Sequence, residues 1–375
     1  MKTDAAVETS YLAWLADLNV PADKLLPVIR EYRTGERIFH AAAEEDPRLS
    51  ELLPPDVIRR MKTTGTRDNL RRLYNLITEH KILSVTAVDD SFPPILSEIP
   101  DPVSILFYQG DLSCLQHRRI SMVGSRHASY AGLKAAEDIA RELSSSGIVI
   151  ISGFANGIDT ACHQGCLRGG SPTVAVLGCG LDRSYPTANS SLRKQVLDNG
   201  GLLISEFSPG QPPMAFHFPY RNRIISGLGD AVILMEARIR SGSLVTVSHA
   251  LNQGKEVFVY PGDPSSPYSE GNRQLLREGA TYFTTARDIL ADMNWLDNPP
   301  DEVQNSDCSV LSKARNETET AVLNCLLPGP RSFDQLADTC GLPPAELLGI
   351  LTMLQIRGII ESVPGKKYQI INKPI

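Results

Sequence analysis

From residue 115 to about 295 the chain alternates short, nearly continuous apolar runs with longer stretches whose apolar positions recur at helical spacing. A run that is apolar at every position is buried on both faces, so the pattern predicts a doubly wound, mostly parallel α/β sheet with helices on either side. Helices are expected at 130–146, 158–168, 188–199, 221–228, 243–253 and 271–278. Residues 1–80 carry helical spacing alone (Tyr11, Leu12, Leu15 and Leu18; Leu25, Leu26, Val28 and Ile29; Leu70, Leu73, Leu76 and Ile77), punctuated by Pro21, Gly35, Pro47, Pro54, Pro55 and Gly65. This reads as a small domain of short helices. Residues 81–295 form the central domain, entered through a proline-broken lead-in that ends in strand-like Ser104-Ile-Leu-Phe-Tyr108 and packs on the rest of that domain. Residues 296–316 lack periodicity and read as a linker. In 317–375, helical spacing over Glu319–Leu327, Ser332–Thr339 and Pro344–Arg357 precedes two short strands around Pro364-Gly-Lys-Lys367, the pattern of a winged helix-turn-helix.

The central apolar runs end alike. Ile120-Ser-Met-Val-Gly-Ser-Arg126, Ile148-Val-Ile-Ile-Ser-Gly-Phe-Ala-Asn-Gly157, Thr173-Val-Ala-Val-Leu-Gly-Cys-Gly180, Ala231-Val-Ile-Leu-Met-Glu-Ala237 with Ser241-Gly-Ser243, and Val257-Phe-Val-Tyr-Pro-Gly262 each pass into a helix-like stretch. Such turns place backbone N–H groups at helix N-termini, where anions bind, and ligands of open α/β sheets sit outside the carboxyl ends of the strands. Five strand ends are expected to converge on one phosphate-rich ligand. Gly124 lets backbone approach a phosphate, Ser125 donates a hydrogen bond, and Arg126 offers a bidentate fork; a tight turn and a surface arginine are the structural alternative. Gly153, Phe154, Asn156 and Gly157 form a Gly-x-x-x-Gly turn of the nucleotide-loop kind. Arg221, Asn222 and Arg223 combine phosphate forks at a helix start with the neighbouring aromatic faces of Phe216 and Phe218, able to stack bases. Their alternative is pairing with acids such as Asp159 or Glu206. Ser241, Gly242 and Ser243 add a hydroxyl-rich helix start, with capping as the alternative.

Other chemistry is sparse. There is no Gly-x-Gly-x-x-Gly after the first strand, no Walker lysine, no Gly-x-Ser-x-Gly elbow, and the histidines are scattered. No catalytic residue and no cofactor is expected, and a binding module outranks an enzyme. Asp159, Cys162, His163 and Cys166 share one helix, but the cysteines suit core packing better than a metal. The seven cysteines are odd in number and irregular in spacing, which reads as free thiols. A net charge of −6 on 375 residues argues against a uniformly positive duplex binder and leaves room for a local basic groove. From Asn316 to Ile375 five basic residues face six acidic ones, so DNA and protein both remain open as targets of that unit. No apolar run reaches membrane-spanning length and no signal region follows Met1, so a cytoplasmic location without membrane attachment is expected.

Val123-Gly-Ser-Arg126, Ser152-Gly-Phe-Ala-Asn-Gly-Ile-Asp159, Ala175-Val-Leu-Gly-Cys-Gly180, Tyr185-Pro186, Ser205-Glu206, Phe218-Pro-Tyr-Arg-Asn-Arg223, Glu236-Ala237, Ser241-Gly-Ser-Leu244, Gly254-Lys-Glu-Val-Phe258 and Pro261-Gly262 together resemble, in order and spacing, the DprA (Smf) family of DNA-processing proteins. The resemblance implies an extended Rossmann-like domain that binds single-stranded DNA and forms a homodimer, a sterile-alpha-motif-like domain before it and a winged helix behind it. It also implies a mediator that protects incoming DNA and helps load the RecA recombinase in natural transformation (competence) and recombination. Arg126 falls on the arginine of the family's DNA pocket, and Arg221 to Arg223 on its arginine-asparagine-arginine motif. Thr187 stands where some relatives carry a phosphate-binding lysine, and Cys162-His163 replaces an alanine-histidine pair. The N-terminal segment lacks the Gly-x-Gly turn by which helix-hairpin-helix modules grip duplex backbones.

Two other readings compete. Nucleotide phosphoribohydrolases are similar in fold and glycine loops, but at Arg240-Ser-Gly-Ser-Leu-Val-Thr246 this chain has Val245 and Thr246 where their acids would stand. A winged-helix transcription regulator with a Rossmann-like sensor would call for a more basic helix than Pro344–Arg357.

Overall fold

The computed structural model describes residues 5–296, 317–326, 331–340, 342–357, 359–363 and 367–370. Contacts divide the chain into two compact units, residues 1–300 and 301–375. Apart from Leu296, the expected linker lies outside the described residues, as does the turn at 364–366.

The first unit opens with helices α1 (Ala5–Asp17), α2 (Ala22–Tyr32), α3 (Gly35–Ala43), α4 (Pro47–Leu52), α5 (Pro55–Thr64) and α6 (Arg67–His80). Thr34, Asp46 and Thr66 accept hydrogen bonds from first-turn N–H groups, and Pro47 and Pro55 open α4 and α5, where a missing N–H is harmless. Buried Trp14 donates from Nε1 to Thr64 Oγ1 at 3.0 Å, tying α1 to α5.

Nine strands then form one sheet: β1 (Leu83–Thr86), β2 (Ile105–Gly110), β3 (Arg119–Val123), β4 (Val149–Ser152), β5 (Thr173–Val176), β6 (Leu202–Ser205), β7 (Ala231–Leu234), β8 (Glu256–Val259) and β9 (Thr281–Tyr282), ordered β1-β2-β6-β5-β4-β3-β7-β8-β9. Strands β3 to β9 pair in parallel, while β1 and β2 add an antiparallel edge. The lead-in is thus part of the sheet. Between strands run α7 (Ile95–Glu98), α8 (Tyr130–Ser145), α9 (Ile158–Gly169), α10 (Ser190–Asp198), α11 (His217–Leu228), α12 (Ser243–Asn252), α13 (Glu270–Arg277) and α14 (Ala286–Asp292).

Alternation along each strand loads both faces. Ile120, Met122, Ile150 and Ile233 pack with Ile139, Leu143 and Ile158 of α8 and α9, while Val123, Val149, Ile151 and Val232 pack with Leu96, Ile224 and Val247 of α7, α11 and α12. Each such fully buried side chain stabilises the fold by about 1.5–3 kcal/mol. A third cluster joins Leu15, Leu73 and Ile77 of the helical segment to Phe107, Ala175 and Leu203 of the sheet, so the change near residue 80 is one of secondary structure within a shared core. From β3 the chain steps outward through β4, β5 and β6, then returns to β7 on the other flank of β3, making β3/β7 the switch point.

In the second unit, helices Glu317–Leu326, Phe333–Cys340 and Pro344–Ile356 accompany a three-stranded antiparallel sheet whose outer strands, Arg331–Ser332 and Ile360–Val363, flank Lys367–Ile370. Val322, Leu323, Leu336, Leu347, Leu351 and Ile360 fill its core. Ser332 and Gln335 exchange hydrogen bonds as a capping box. Among the described residues no helix is long and apolar enough to cross a membrane.

Candidate nucleic-acid interface

Beyond the carboxyl ends of β3, β4 and β7 lies a cleft of about 560 Å³, walled by Gly124, Arg126, Asp159, Tyr185, Phe218, Arg221, Asn222, Ser241, Gly242 and Ser243 among others. A smaller recess of about 50 Å³, lined by Gly153, Phe154, Asn156, Gly178 and Pro186, adjoins it through Arg126, Tyr185, Phe218 and Arg221.

The loop after β3 is held rigidly. A Cβ on Gly124 would come within 2.6 Å of Ile158 Cγ1, so only glycine lets this loop lie on α9. Ser125 is buried in the turn: its N–H donates to Glu236 O at 2.7 Å, its carbonyl accepts from Ile158 N at 3.2 Å, and its Oγ accepts from His127 N at 3.1 Å. Ser125 therefore builds the loop, and Arg126 is what the loop presents. Arg126 is exposed, makes no ion pair or hydrogen bond among the described residues, and stands 5.1 Å from the Phe218 ring centroid. Phe218 in turn packs against Tyr185 at 5.4 Å. A guanidinium and two aromatic rings thus follow one another along the cleft wall.

The loop after β4 reaches the same place. Buried Phe154 holds a positive φ of 60° and packs on His163 at 5.5 Å, whereas Asn156 is exposed at the rim. Gly157 has φ 84°, and a Cβ there would collide with the carbonyls of Ser125 and Arg126.

Helix α11 begins at His217, a turn earlier than the spacing predicts, with Pro219 tolerated in its first turn. Arg221 and Arg223 consequently sit in the second turn, two positions or about 200° apart, and point to opposite sides. Arg221 is buried in the cleft floor and donates from Nη1 to Gly153 O at 2.8 Å, while its Nε has no partner. Burial lowers it to about 10, against the opposing pull of Asp159, so it stays charged at neutral pH. Asp159 is raised to about 6 by burial, opposed by Arg221 and by the Ala155 N–H. Arg221 and Asp159 face each other without a direct ion pair, and Arg221 lines the cleft. Asn222 donates to Gly242 O at 3.4 Å, joining α11 to the start of α12.

Arg223 does not reach the cleft. It is 1% exposed and binds Glu206 Oε1 at 2.8 Å, Asp101 O at 2.9 Å and Asp101 Oδ2 at 3.2 Å, so it fastens α11 to the end of β6 and the approach to β2. Of the two pairings the sequence left open, Arg223 takes Glu206.

The five strand ends do not contribute equally. At the β3/β7 switch point the N-terminus of α8 is already occupied: Ser129 N and Oγ donate to the two oxygens of buried Glu236 at 2.7 and 2.8 Å. Gly132 leaves room for that carboxylate, whose Oε2 would lie 2.7 Å from an added Cβ. The turn at Pro261-Gly262 is absent from the cleft lining. The start of α12 is open to the cleft, where Ser241 and Ser243 pair their hydroxyls at 2.7 Å and Gly242 has free space around it. Phe218, expected as a stacking face, lines the cleft, as do Tyr185 and Asp159, which the sequence offered only within a motif and as an ion-pair partner. Buried His163 bonds Thr173 Oγ1 through Nδ1 at 2.8 Å and Cys162 and Cys166 are buried beside it, so these side chains serve the core.

A family model described as DNA recombination-mediator protein A matches residues 84–294, and one described as DprA winged helix domain matches residues 310–366. The DNA processing protein DprA of Streptococcus pneumoniae (strain ATCC BAA-255 / R6) is 44% identical over 215 residues, 57% of this chain and 76% of the relative. Protein Smf of Escherichia coli (strain K12) is 36% identical over 286 residues, 75% of each chain. The X-ray structure of DprA from Streptococcus pneumoniae superposes with TM-score 0.63 at 35% identity, covering 78% of this chain and 98% of that one. DNA processing protein A from Helicobacter pylori, whose structure describes a single-stranded DNA binding mode, superposes with TM-score 0.51 at 28% identity, covering 56% of this chain and 95% of that one.

Proposed function

Because the chain belongs to the DNA recombination-mediator protein A family, called DprA or Smf in its relatives, we propose that it binds single-stranded DNA across the carboxyl ends of β3, β4 and β7. Arg126 and Arg221 hold successive phosphates, the open start of α12 supplies backbone and hydroxyl donors, and Phe218 and Tyr185 stack bases. Stacking and phosphate contacts read no sequence, so base preference is small. The observation that carries this reading is Arg126: an exposed cation with no ion pair or hydrogen bond among the described residues, over an aromatic ring at the mouth of the cleft.

A mononucleotide enzyme fits less well. The helix start at the switch point, where such folds seat a phosphate, is filled by Glu236, and the lining offers Asp159 but neither histidine nor cysteine as a partner for acid-base work. In the family's role the protein acts without catalysis, in the cytoplasm and as a homodimer through the Rossmann-like domain, protecting incoming strands and helping load RecA during transformation and recombination. The test is competition between single-stranded and duplex oligonucleotides for the full chain: preference for the single strand supports the reading, and equal or duplex-favouring affinity contradicts it.

A further inference from the structure

In the second unit, Cys325 on helix Glu317–Leu326 and Cys340 at the end of helix Phe333–Cys340 bring their Sγ atoms to 3.1 Å. That is about 1 Å beyond the ~2.05 Å of a disulfide bond. Cys340 also packs 3.9 Å from the Ala321 carbonyl, so its sulfur is seated on the neighbouring helix. Both residues are half-buried, whereas Cys114, Cys162, Cys166 and Cys179 are buried in the first unit. We propose that Cys325 and Cys340 are a disulfide-forming dithiol, cross-linked by exchange with a low-molecular-weight disulfide of the glutathione class.

Burial, and then the neighbouring Cys325 sulfur, push the Cys340 thiol up to about 12, so Cys340 stays protonated and donates to Cys325. Cys325 is then the attacking sulfur: its thiolate bonds to one sulfur of the reagent, the reagent's S–S bond breaks, and one reagent thiolate leaves with the electron pair and takes up a proton. Cys340 next loses its proton to solvent and attacks Cys325 in the mixed disulfide, expelling the second reagent thiol. Two protein thiols lose two electrons and two protons, and one reagent disulfide becomes two thiols. The cross-link staples helix Glu317–Leu326 to helix Phe333–Cys340 across a sequence separation of 15 residues, which constrains the unfolded chain.

The test treats the reduced full chain with glutathione disulfide, alkylates the remaining thiols and maps tryptic peptides. Asn316–Arg331 and Ser332–Arg357 are expected to appear joined, two hydrogens lighter than their sum, with alkylation lost at Cys325 and Cys340 together. Cys340→Ser should stop at a stable glutathione adduct on Cys325. Cys325 and Cys340 both still alkylated under conditions that modify Cys308, or a cross-link from Cys325 to Cys308 in place of Cys340, would overturn the proposal. A dithiothreitol-reversible rise of several degrees in the unit's melting point accompanies the cross-link, and no rise in a sample shown to be cross-linked would contradict the stapling.

Discussion

Arg223 Nη2 donates to Glu206 Oε1 at 2.8 Å from a guanidinium that is 1% exposed, while Arg221, one half-turn away on the same helix, keeps its Nε unpaired at the cleft floor. Two arginines of one motif therefore do different work. Arg223→Ala leaves the Glu206 carboxylate buried without its cation, a loss of about 3–5 kcal/mol. Both tryptophans, Trp14 and Trp295, lie in the first unit, so denaturation followed by intrinsic fluorescence reads this directly. A variant as stable as the parent would refute the assignment.

Arg221→Ala should spare most of that stability and weaken oligonucleotide binding by about tenfold to a hundredfold, the range of a lost hydrogen bond to a charged group. Fluorescence anisotropy with a labelled oligonucleotide checks it, alongside a denaturation curve showing that the variant is folded.

Asp159 gives the grip a pH dependence. Its folded value, about 6, lies above the ordinary 3.8, so the stability it contributes is complete below the unfolded value and lost as pH rises through 6. The same protonation removes a negative charge from the cleft in which the phosphates are proposed to bind. Affinity for single strands should rise as pH falls from 7 to 5, and Asp159→Asn should tighten binding at pH 7 by up to about tenfold, one pKa unit's worth, and flatten the profile. An unchanged profile in the variant would remove Asp159 from the account.

Gly157→Ala places a Cβ against the carbonyls of Ser125 and Arg126 on a backbone with φ 84°. The strain, about 1–3 kcal/mol, falls on the loop that aims Arg126, so binding should drop further than thermal stability does. Equal losses in both would mean that the glycine serves packing alone.

Phe218→Ala removes the ring between Arg126 and Tyr185. Stacking of this kind contributes about 1–3 kcal/mol per base, and the loss should be similar on different homopolymers. Retained affinity would show that the bases lie elsewhere.

The alternation of apolar runs with helical spacing made the doubly wound sheet legible, because strands such as Ala231–Leu234, and residues 174–176 of β5, are buried on both faces and apolar at every position. The lead-in was legible only in part: residues 104–108 read as a strand, but β1 is a four-residue edge strand, and the antiparallel pairing of β2 with β6 joins residues about 100 positions apart. At the site, Arg126, Arg221 and Ser241 could be picked out by residue type and position after a strand. Arg223 could not be separated from Arg221, because the i,i+2 spacing shows that the two point apart but not which of them faces the cleft and which meets Glu206. Glu236 reads in sequence as one acid after a strand, and only the fold brings it onto the N-terminus of α8 from more than 100 residues away in the chain.

The most direct measurement is the affinity of the parent and of Arg126→Ala for a single-stranded oligonucleotide across a salt series. If Arg126 neutralises one phosphate of a strand lying in the cleft, the variant binds every sequence more weakly and the slope of log affinity against log salt becomes shallower by about 0.7. A folded variant with the parent's affinity and slope would contradict the placement of DNA in this cleft.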